Sequence, residues 1–318
     1  MLSYIFMGSP EFAATVLETL CRDLYAPLAV VTQPAKAAGR GQKVRATAVE
    51  EFARGQDLTV FSTFDVNAPS TFEAIQTFEP DLLLVVAFGQ ILRQSVLALP
   101  KLMPLNVHAS LLPHLRGAAP IQRAIWGGDK ITGITVQKMA KKLDSGDILL
   151  QRELDIDPSE TSGELTLRLA KLGGLCLVDA VKLLDSGEYR LEPQDHAAAT
   201  FAPKIDKRDA VLDWNRSATQ LFDQIRALQP WPVAETMLGE ERMKIFKATP
   251  CEGEGLEPGQ IATDSKQYLR VGCGFGGALS LIEVQLQNRK RLPIAEFLRA
   301  YRGSFPFRRV SQTVASEL

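Results

Sequence analysis

The sequence predicts an α/β fold: a Rossmann-like, mostly parallel sheet with helices on both faces, followed by a small C-terminal β-barrel of OB-like form. Along the first two-thirds of the 318 residues, short apolar runs alternate with helical patterns, an order that is typical of parallel sheets. The run at residues 82–87 has no polar face, as a strand buried on both faces requires. The last third carries short strand-like segments between Gly and Pro turns, which favours a small barrel.

The period of the apolar pattern and the length of each run predict the elements of the first two-thirds of the chain. Apolar runs of strand length lie at residues 3–7, 28–32, 58–61, 82–87, 105–108, 133–139 and 147–156. Helical patterns lie at residues 12–22, 47–54, 70–78 and 162–184. The first turn lacks the GxGxxG pattern, because Pro10 and Glu11 occupy places where a pyrophosphate needs backbone amides. We therefore expect this sheet to bind no dinucleotide.

The alternation of strand and helix patterns fades between about residues 191 and 208, and we interpret that segment as a linker. It separates a catalytic domain at residues 1–190 from a β-barrel domain at residues 209–318. One helix is predicted in the second domain at residues 217–228, with strands at 234–238, 243–248, 260–263, 268–271 and 278–286. The glycine-rich segment 272–277 resembles a phosphate loop, but it opens no helix, so a hairpin turn is the better interpretation.

Composition excludes several classes of protein. A net charge of −1 excludes a globally basic nucleic-acid binder, so any RNA contact must use a local patch. The four cysteines are far apart and there are only three histidines, which predicts no metal site and suits a reducing compartment. His114 and His196 lack any partner pattern, and we expect surface or loop roles for them. A basic signal-peptide region and a membrane-length apolar run are both missing, which predicts a cytoplasmic protein.

Asn106, His108 and Asp144 carry the strongest signal for chemistry. Asn106 and His108 end a predicted strand one residue apart, so they face the same side of the sheet. Asp144 lies in a separate turn that contains glycine. An amide donor, an imidazole and a carboxylate around one carbonyl form an acyl-transfer site that needs no covalent nucleophile. A satisfied polar group is the ordinary alternative for each residue alone, and the combined pattern favours catalysis.

Two sequence blocks carry a family resemblance. Asn106-x-His108-x-Ser-Leu-Leu-Pro113-x-x-Arg116-Gly117, followed by Asp144-x-Gly146-Asp147, resembles the 10-formyltetrahydrofolate-dependent formyltransferases. The resemblance extends along nearly the whole chain to the branch of that family that acts on methionyl-tRNA. Its further matches are Phe6-Met-Gly-Ser-Pro10-Glu-Phe-Ala13, Thr32-Gln-Pro34, Gly39-Arg40-Gly41, Arg116-Gly-Ala-Ala-Pro-Ile-Gln-Arg123, Asp213-Trp214 and Pro230-Trp231-Pro232. The chain departs from the family at Ala109, where Gly is common, and lacks several prolines around Arg40.

The resemblance implies transfer of a formyl group from 10-formyltetrahydrofolate, a co-substrate, to the α-amino group of methionine on initiator Met-tRNA. The amine is the nucleophile, and neither a metal nor an obligate protein partner is implied. Asn106 and His108 are expected to donate hydrogen bonds to the oxyanion, each contributing about 2.7–4 kcal/mol. Asp144 is expected to favour the charged imidazolium of His108 or, alternatively, to take the proton that the amine loses.

The resemblance also implies which residues bind the folate ring, a flat heterocycle that suits an apolar slot with backbone hydrogen-bonding groups. These residues are Val86, Ala87, Phe88, Gly89, Ile91, Leu92, Ser110, Leu111, Leu112 and Pro113. The alternative for residues 86–92 is a buried strand end. A cis peptide is expected between Leu112 and Pro113.

Two basic segments are candidates for the tRNA. The first is the loop from Pro34 to Thr47, in which no acid interrupts Lys36, Arg40, Lys43 and Arg45. We expect this loop to be disordered without tRNA and to order when tRNA binds. The second lies near the C-terminus, where Arg289, Lys290 and Arg291 begin a basic stretch suited to phosphates. The alternative for both is a solvated run of charge.

Three other functions remain open on the sequence. The same trio would serve a formyltransferase acting on an amino sugar nucleotide or on a glycinamide ribonucleotide. A hydrolase of 10-formyltetrahydrofolate, with water as the acceptor, would use the same scaffold. A non-catalytic RNA-binding protein with a decayed enzyme domain belongs to a different class, and the intact trio argues against it.

Overall fold

The computed structural model describes residues 1–38, 43–301 and 310–311 of the protein. The chain forms two compact units. The first consists of Met1–Pro120, Ile131–Asp155 and Thr166–Pro203, and the second of Ile121–Lys130, Ile156–Leu165 and Lys204–Leu318. The predicted linker is thus divided between the units, with residues 191–203 in the first, and the domain boundaries given above stay a prediction.

The described residues before residue 187 form nine strands and six helices. The strands are β1 (Tyr4–Gly8), β2 (Ala29–Thr32), β3 (Lys36–Ala38), β4 (Lys43–Arg45), β5 (Val60–Ser62), β6 (Leu82–Val86), β7 (Met103–His108), β8 (Ile131–Lys138) and β9 (Ile148–Asp155). The helices are α1 (Glu11–Asp23), α2 (Ala48–Gly55), α3 (Pro69–Gln76), α4 (Gln94–Leu97), α5 (Pro120–Gly127) and α6 (Ser162–Ser186). These bounds confirm the predicted strands and helices of this region. The elements β3, β4, α4 and α5 have no counterpart in the prediction.

The main sheet of the first unit has the strand order β5-β2-β1-β6-β7-β8-β9. Its first five strands pair in parallel, whereas β8 and β9 pair antiparallel. The predicted α/β class with a mostly parallel sheet is therefore confirmed. The strand order reverses between β1 and β6, and doubly wound sheets bind ligands in the crevice beyond the carboxyl ends of the strands at such a point.

Both faces of the central strands are buried, which explains their uninterrupted apolar sequences. Every residue of β6 is buried. On one face, Ile5 of β1 and Leu83 of β6 pack in a cluster with Ile75 of α3 and Val96 of α4. Complete burial of one such side chain contributes about 1.5–3 kcal/mol to the free energy of unfolding.

Helix α6 packs against the opposite face through two adjacent glycines. A Cβ atom at Gly173 would lie 3.2 Å from Val107 of β7, and one at Gly174 would lie 2.6 Å from Thr19 of α1. Glycine inside a helix costs about 1 kcal/mol relative to alanine, and the close approach of α6 explains why it is present here. Helices thus cover both faces of the sheet, as predicted.

The second unit is built on an antiparallel sheet around its own core. Its later elements are α7 (Ala218–Ala227), β10 (Glu235–Leu238), β11 (Glu241–Glu252), β12 (Ile261–Thr263), β13 (Leu269–Gly272), β14 (Gly277–Leu286), β15 (Leu292–Pro293), α8 (Ile294–Ala300) and β16 (Val310–Ser311). The strand order is β12-β13-β14-β11-β10-β16, with β15 paired to β14, and the sheet forms a half-barrel. Trp214 is fully buried in this core, and its indole N–H donates to Oγ1 of Thr236 at 3.0 Å.

The glycine-rich segment predicted as a hairpin turn joins β13 to β14, which pair antiparallel. Phe275 and Gly276 both have positive φ, as tight hairpin turns require. The hairpin interpretation is therefore confirmed. Within the described ranges, no helix has the length and the apolar character needed to cross a membrane.

Candidate active site

Asn106 and His108 lie on one face at the carboxyl end of β7. Asn106 is in register with Val85 of β6 and with Gln137 of β8, and His108 is in register with Thr135. The Asn106 side chain is partly exposed, and none of the residues that the structure describes forms a hydrogen bond with its amide. His108, in contrast, is only 6% exposed. The pair therefore presents one open amide beside one enclosed imidazole, next to the switch point of the sheet.

The His108 ring is held between two oxygen atoms. Its Nε2 atom lies 2.9 Å from the backbone oxygen of Leu115, and its Nδ1 atom lies 3.6 Å from Oδ2 of Asp144. Because a carbonyl oxygen only accepts, Nε2 carries the hydrogen. Leu115 has a positive φ of 58°, and its N–H donates to Oγ1 of Thr200 at 2.8 Å. This unusual backbone conformation directs the Leu115 carbonyl at the ring and so fixes the ring's orientation.

Asp144 is fixed through its carboxylate and through its backbone. Oδ2 accepts from the backbone N–H of Gly117 at 2.9 Å, and Oδ1 accepts from Nε2 of Gln137 at 3.1 Å. Asp144 itself has a positive φ of 48°. Two residues later a Cβ atom at Gly146 would lie 1.7 Å from the backbone oxygen of Lys138, so the turn admits only glycine there. The structure thus brings the predicted trio together at one place.

The segment that follows His108 forms a rigid wall. Oγ1 of Thr135 donates to the backbone oxygen of Ser110 at 2.7 Å and accepts from the N–H of Leu112 at 3.0 Å. Nε2 of Gln151 donates to the Leu112 oxygen at 2.8 Å. The Leu112–Pro113 peptide is cis, as predicted. Ser110 and Leu112 are buried, whereas Leu111 and Pro113 are partly exposed.

Residues 86–92 divide into core and surface positions. Val86, Phe88 and Leu92 are buried, and the last two belong to the cluster beneath the sheet. Ala87 and Gly89 are exposed, with positive φ of 46° and 78°, and Ile91 is 87% exposed. Only the exposed members of this segment offer a side chain or backbone at the surface, and the three buried residues anchor the loop.

Polar side chains hold this loop in place. Nε2 of Gln33 donates to the backbone oxygen of Phe88 at 2.7 Å. The side-chain amide of Gln90 forms two hydrogen bonds with residues 63–66. Its Oε1 accepts from the N–H of Val66 at 2.8 Å, and its Nε2 donates to the backbone oxygen of Thr63 at 2.9 Å. In the described part of the chain, nothing forms a hydrogen bond with the backbone of Gly89. The loop is therefore preorganised, and Gly89 keeps its N–H and C=O available.

The first predicted tRNA segment is only partly described. Its flanks pair as the antiparallel strands β3 and β4, so the disorder expected for the whole of residues 34–47 does not extend to them. Lys36 and Lys43 lie on these strands, and Arg45 is exposed. Arg40 lies outside the described residues.

Two of the three basic residues in the second predicted tRNA segment already face acidic side chains. Arg289 lies 3.8 Å from a carboxylate oxygen of Glu241, and Arg291 is paired with Glu283. Arg291 also stacks over the ring of Phe246 at 4.2 Å. Lys290, between them, is exposed.

Sequence reasoning missed three polar residues that surround Asp144: Arg116, Gln137 and Gln194. Gln137 left a detectable signal, because it is a long polar side chain at a buried position of β8. Arg116 was noted only as part of a motif. Gln194 left no periodic signal, since it lies in the segment interpreted as a linker. No group of three or more His, Cys, Asp or Glu residues that could hold a metal exists among the residues with described positions.

Comparison with known families gives two matches. The family model described as formyl transferase matches residues 3–181, and the model described as formyl transferase, C-terminal domain, matches residues 204–302. The chain is 42% identical over 301 residues to the methionyl-tRNA formyltransferase of Geobacter sulfurreducens, covering 95% of this chain and 94% of the relative. It is 41% identical over 295 residues to the protein of the same name from Kosmotoga olearia, covering 92% and 94%.

A solved structure shares the fold at low identity. The N-formyltransferase from Helicobacter canadensis, crystallised with folinic acid and dTDP-3-aminofucose, superposes with a TM-score of 0.67 at 18% identity. The match covers 88% of this chain and 99% of that one.

Proposed function

The chain belongs to the methionyl-tRNA formyltransferase family, and from this premise we propose that it transfers the formyl group of 10-formyltetrahydrofolate to the α-amino group of methionine on initiator Met-tRNA. The observation that carries the proposal is the arrangement of Asn106, His108 and Asp144 at the switch crevice. An open amide, an enclosed imidazole and a clamped carboxylate lie together there, with no nucleophilic thiol among them. We further infer that the protein works in the cytoplasm.

The residues of the crevice fit a folate ring. The Gly89 backbone offers one donor and one acceptor without a partner in the described structure, and Ile91 offers an exposed apolar side chain. Leu111 and Pro113 provide further partly exposed apolar surface. A flat heterocycle with many hydrogen-bonding groups needs this combination of apolar surface and fixed backbone groups. The bound folate supplies the formyl carbon, and the protein orients it.

Asn106 is the residue best placed to bind the developing oxyanion, because its amide hydrogens have no partner among the described residues. His108 supplies a second donor. Its Nε2 hydrogen contacts the Leu115 oxygen in this structure, and an anionic oxygen accepts more strongly than a neutral carbonyl. We therefore propose that the oxyanion replaces the Leu115 oxygen as the acceptor of this hydrogen bond when the amine attacks the formyl carbon.

Asp144 faces the Nδ1 edge of His108 and has two roles in the proposed mechanism. Its carboxylate lies 3.6 Å from Nδ1 and places a negative charge beside the ring. It also offers the base that receives the proton released when the amine forms its bond to the formyl carbon. The bond from the formyl carbon to the folate nitrogen then breaks, that nitrogen takes up a proton, and formyl-methionyl-tRNA and tetrahydrofolate leave.

We propose that the two basic segments serve the tRNA. Lys36, Arg40, Lys43 and Arg45 lie in a loop without an interrupting acid, which suits the phosphates of a tRNA. Arg289, Lys290 and Arg291 belong to the C-terminal domain, for which a role in binding the tRNA backbone follows from their charge. Because Arg289 and Arg291 are already paired with acids, a phosphate would have to compete with Glu241 and Glu283.

A formylation assay with three acceptors tests the proposed function. Purified protein and 10-formyltetrahydrofolate are incubated with charged initiator tRNA, with charged elongator Met-tRNA and with an amino sugar nucleotide. We expect formyl-methionine on the initiator tRNA alone. Formylation of the amino sugar instead would assign the protein to the alternative substrate class, and folate binding without formylation of any acceptor would overturn the activity.

A further inference from the structure

We propose that Gln194 and Arg116 act as positioning residues for Asp144, and this inference rests on the proposed function. Gln194 is 6% exposed and Arg116 is 7% exposed. The Nε2 amide group of Gln194 donates to the backbone oxygens of Asp144 at 3.0 Å and Gly146 at 2.6 Å. It also lies 3.3 Å from Oε1 of Gln137. One buried side chain thus forms hydrogen bonds with two backbone carbonyls of the turn that contains Asp144.

Arg116 fixes the other end of the Gln194 amide. Its Nε and Nη2 atoms donate to Oε1 of Gln194 at 3.1 and 2.6 Å. Nη2 also lies 2.9 Å from Nδ1 of His196. Two donors on Oε1 and two carbonyl acceptors on Nε2 leave only one orientation for the amide, because a flipped amide would face donors with donors and acceptors with acceptors. Gln194 is therefore held rigidly.

Arg116 also helps to hold the Asp144 carboxylate, because it precedes the residue that donates to it. The next residue, Gly117, donates its N–H to Oδ2 of Asp144. The Arg116 backbone is paired with residues 200–202, since its N–H donates to Thr200 at 2.9 Å and its oxygen accepts from Ala202 at 2.7 Å. The Arg116 side chain thus supports the Asp144 backbone through Gln194. The Arg116 backbone positions Gly117, whose N–H donates to the Asp144 side chain.

The Asp144 turn needs such support. Lys141, Lys142 and Leu143, which precede it, are all exposed, so apolar packing does not hold this segment. Asp144 also occupies a left-handed conformation, which is unfavourable for a residue other than glycine. Hydrogen bonds must therefore maintain the 3.6 Å separation from His108. A shift of about 1 Å in a catalytic group can lower turnover by about a hundredfold.

A double-mutant cycle between Gln194→Met and Asp144→Asn tests this proposal. Methionine keeps the length of the side chain but removes the amide. We expect Gln194→Met to lower kcat at saturating substrates by about tenfold to a hundredfold, with little change in the KM for folate. In the Asp144→Asn background the same substitution should lower kcat less than threefold, because its target is already lost. Equal losses in both backgrounds would overturn the proposal.

Gln224→Met is the matched control. Gln224 is also a buried glutamine, and its Nε2 donates to the backbone oxygens of Asp209 at 2.8 Å and Val211 at 3.2 Å in the second unit. A general cost of losing a buried amide would lower stability in both variants. We expect only Gln194→Met to lower kcat, and equal kcat losses at equal stability would contradict a positioning role.

A readout that needs no activity separates this inference from the proposed function. The ring proton resonances of His108 are assigned by NMR against the two other histidines. They should move in Gln194→Met in the same direction as in Asp144→Asn, and should stay in place in Gln224→Met. If the parent protein fails to formylate Met-tRNA but these shifts occur, the proposed function fails and the positioning role stands. Unmoved His108 resonances in Gln194→Met would overturn the positioning role whatever the activity.

Discussion

Oδ2 of Asp144 accepts a hydrogen bond from the backbone N–H of Gly117 at 2.9 Å and at the same time faces Nδ1 of His108 at 3.6 Å. The same carboxylate oxygen therefore joins the loop after the catalytic strand to the imidazole on that strand. Since Oδ1 is held by Gln137, the carboxylate cannot rotate away from the ring without breaking two hydrogen bonds. The negative charge beside His108 is thus fixed before any substrate binds, which is the condition for electrostatic preorganisation.

The first prediction concerns the two oxyanion donors. Asn106→Ala and His108→Ala should each lower kcat by about a hundredfold or more, because each removes a preorganised donor from the transition state. The Asn106 variant should keep its stability, since the amide has no partner among the described residues to lose. Steady-state formylation kinetics and thermal unfolding measure the two quantities. Near-normal kcat in both variants with an unchanged fold would refute the oxyanion model.

The second prediction concerns the charge on Asp144. Asp144→Asn keeps the shape of the side chain but removes the negative charge next to His108. Steady-state kcat should fall by about a hundredfold or more, because the base proposed to receive the proton of the amine is lost. A kcat equal to that of the parent would make Asp144 a structural turn residue.

The strands were predictable because their signal is local. The run Leu82–Val86 is buried on every side, and a strand with that surrounding must be apolar throughout. Asn106 and His108 could be placed together for the same reason, because alternation along one strand fixes the face of each side chain. A hairpin at Phe275 and Gly276 likewise follows from local turn geometry.

The surroundings of Asp144 were not predictable in that way. Its position depends on Gly117 and Gln194, which lie 27 and 50 residues away along the chain. No period or spacing encodes such a contact, and residue 194 falls in a segment whose composition is typical of a linker. The sequence left open which of residues 86–92 face a ligand for a related reason: family resemblance gives the segment that contacts a ligand, but only tertiary packing decides which side chains face it.

The third prediction concerns the buried thiols. Burial raises the pKa of Cys176 to about 11 and that of Cys273 to about 12. At pH 8 the thiolate fraction of each is therefore at most about a thousandth, and the thiolate is the reactive form. Iodoacetamide at pH 8 should leave both cysteines unmodified in the native protein and modify them after unfolding, as peptide mass spectrometry would show. Rapid native modification of Cys176 would mean that the core of the first unit opens.

The fourth prediction concerns the C-terminal basic segment. Replacing Arg289, Lys290 and Arg291 with glutamine together should weaken tRNA binding and flatten its dependence on salt, because fewer counterions are released on binding. The ion pairs with Glu241 and Glu283 predict that Lys290→Gln accounts for a large share of the loss. Folate binding should not change. Filter binding over a range of salt concentrations measures the slope, and an unchanged slope in the triple variant would place the tRNA contact elsewhere.

The last prediction concerns Arg40, between Gly39 and Gly41 and outside the described residues. The paired strands β3 and β4 on either side bring the ends of this segment together, so Arg40 belongs to the connection between two antiparallel strands. Lys36, Lys43 and Arg45 give this ribbon a positive charge without an interrupting acid, which suits an RNA backbone. Arg40→Leu should therefore raise the KM for Met-tRNA, or lower kcat at limiting tRNA, by about tenfold or more, while the affinity for a folate analogue stays the same.

A matched variant separates a specific contact of Arg40 from the general charge of its ribbon. Arg45 lies on β4 and is exposed, so Arg45→Leu removes the same charge without altering the connection. If Arg40 contacts a base or a phosphate, Arg40→Leu should impair formylation several-fold more than Arg45→Leu, and Arg40→Lys should restore only part of the loss because lysine lacks the planar fork of guanidinium. Equal formylation by Arg40→Leu and the parent at limiting tRNA and physiological salt would show that the ribbon has no part in recognising the tRNA.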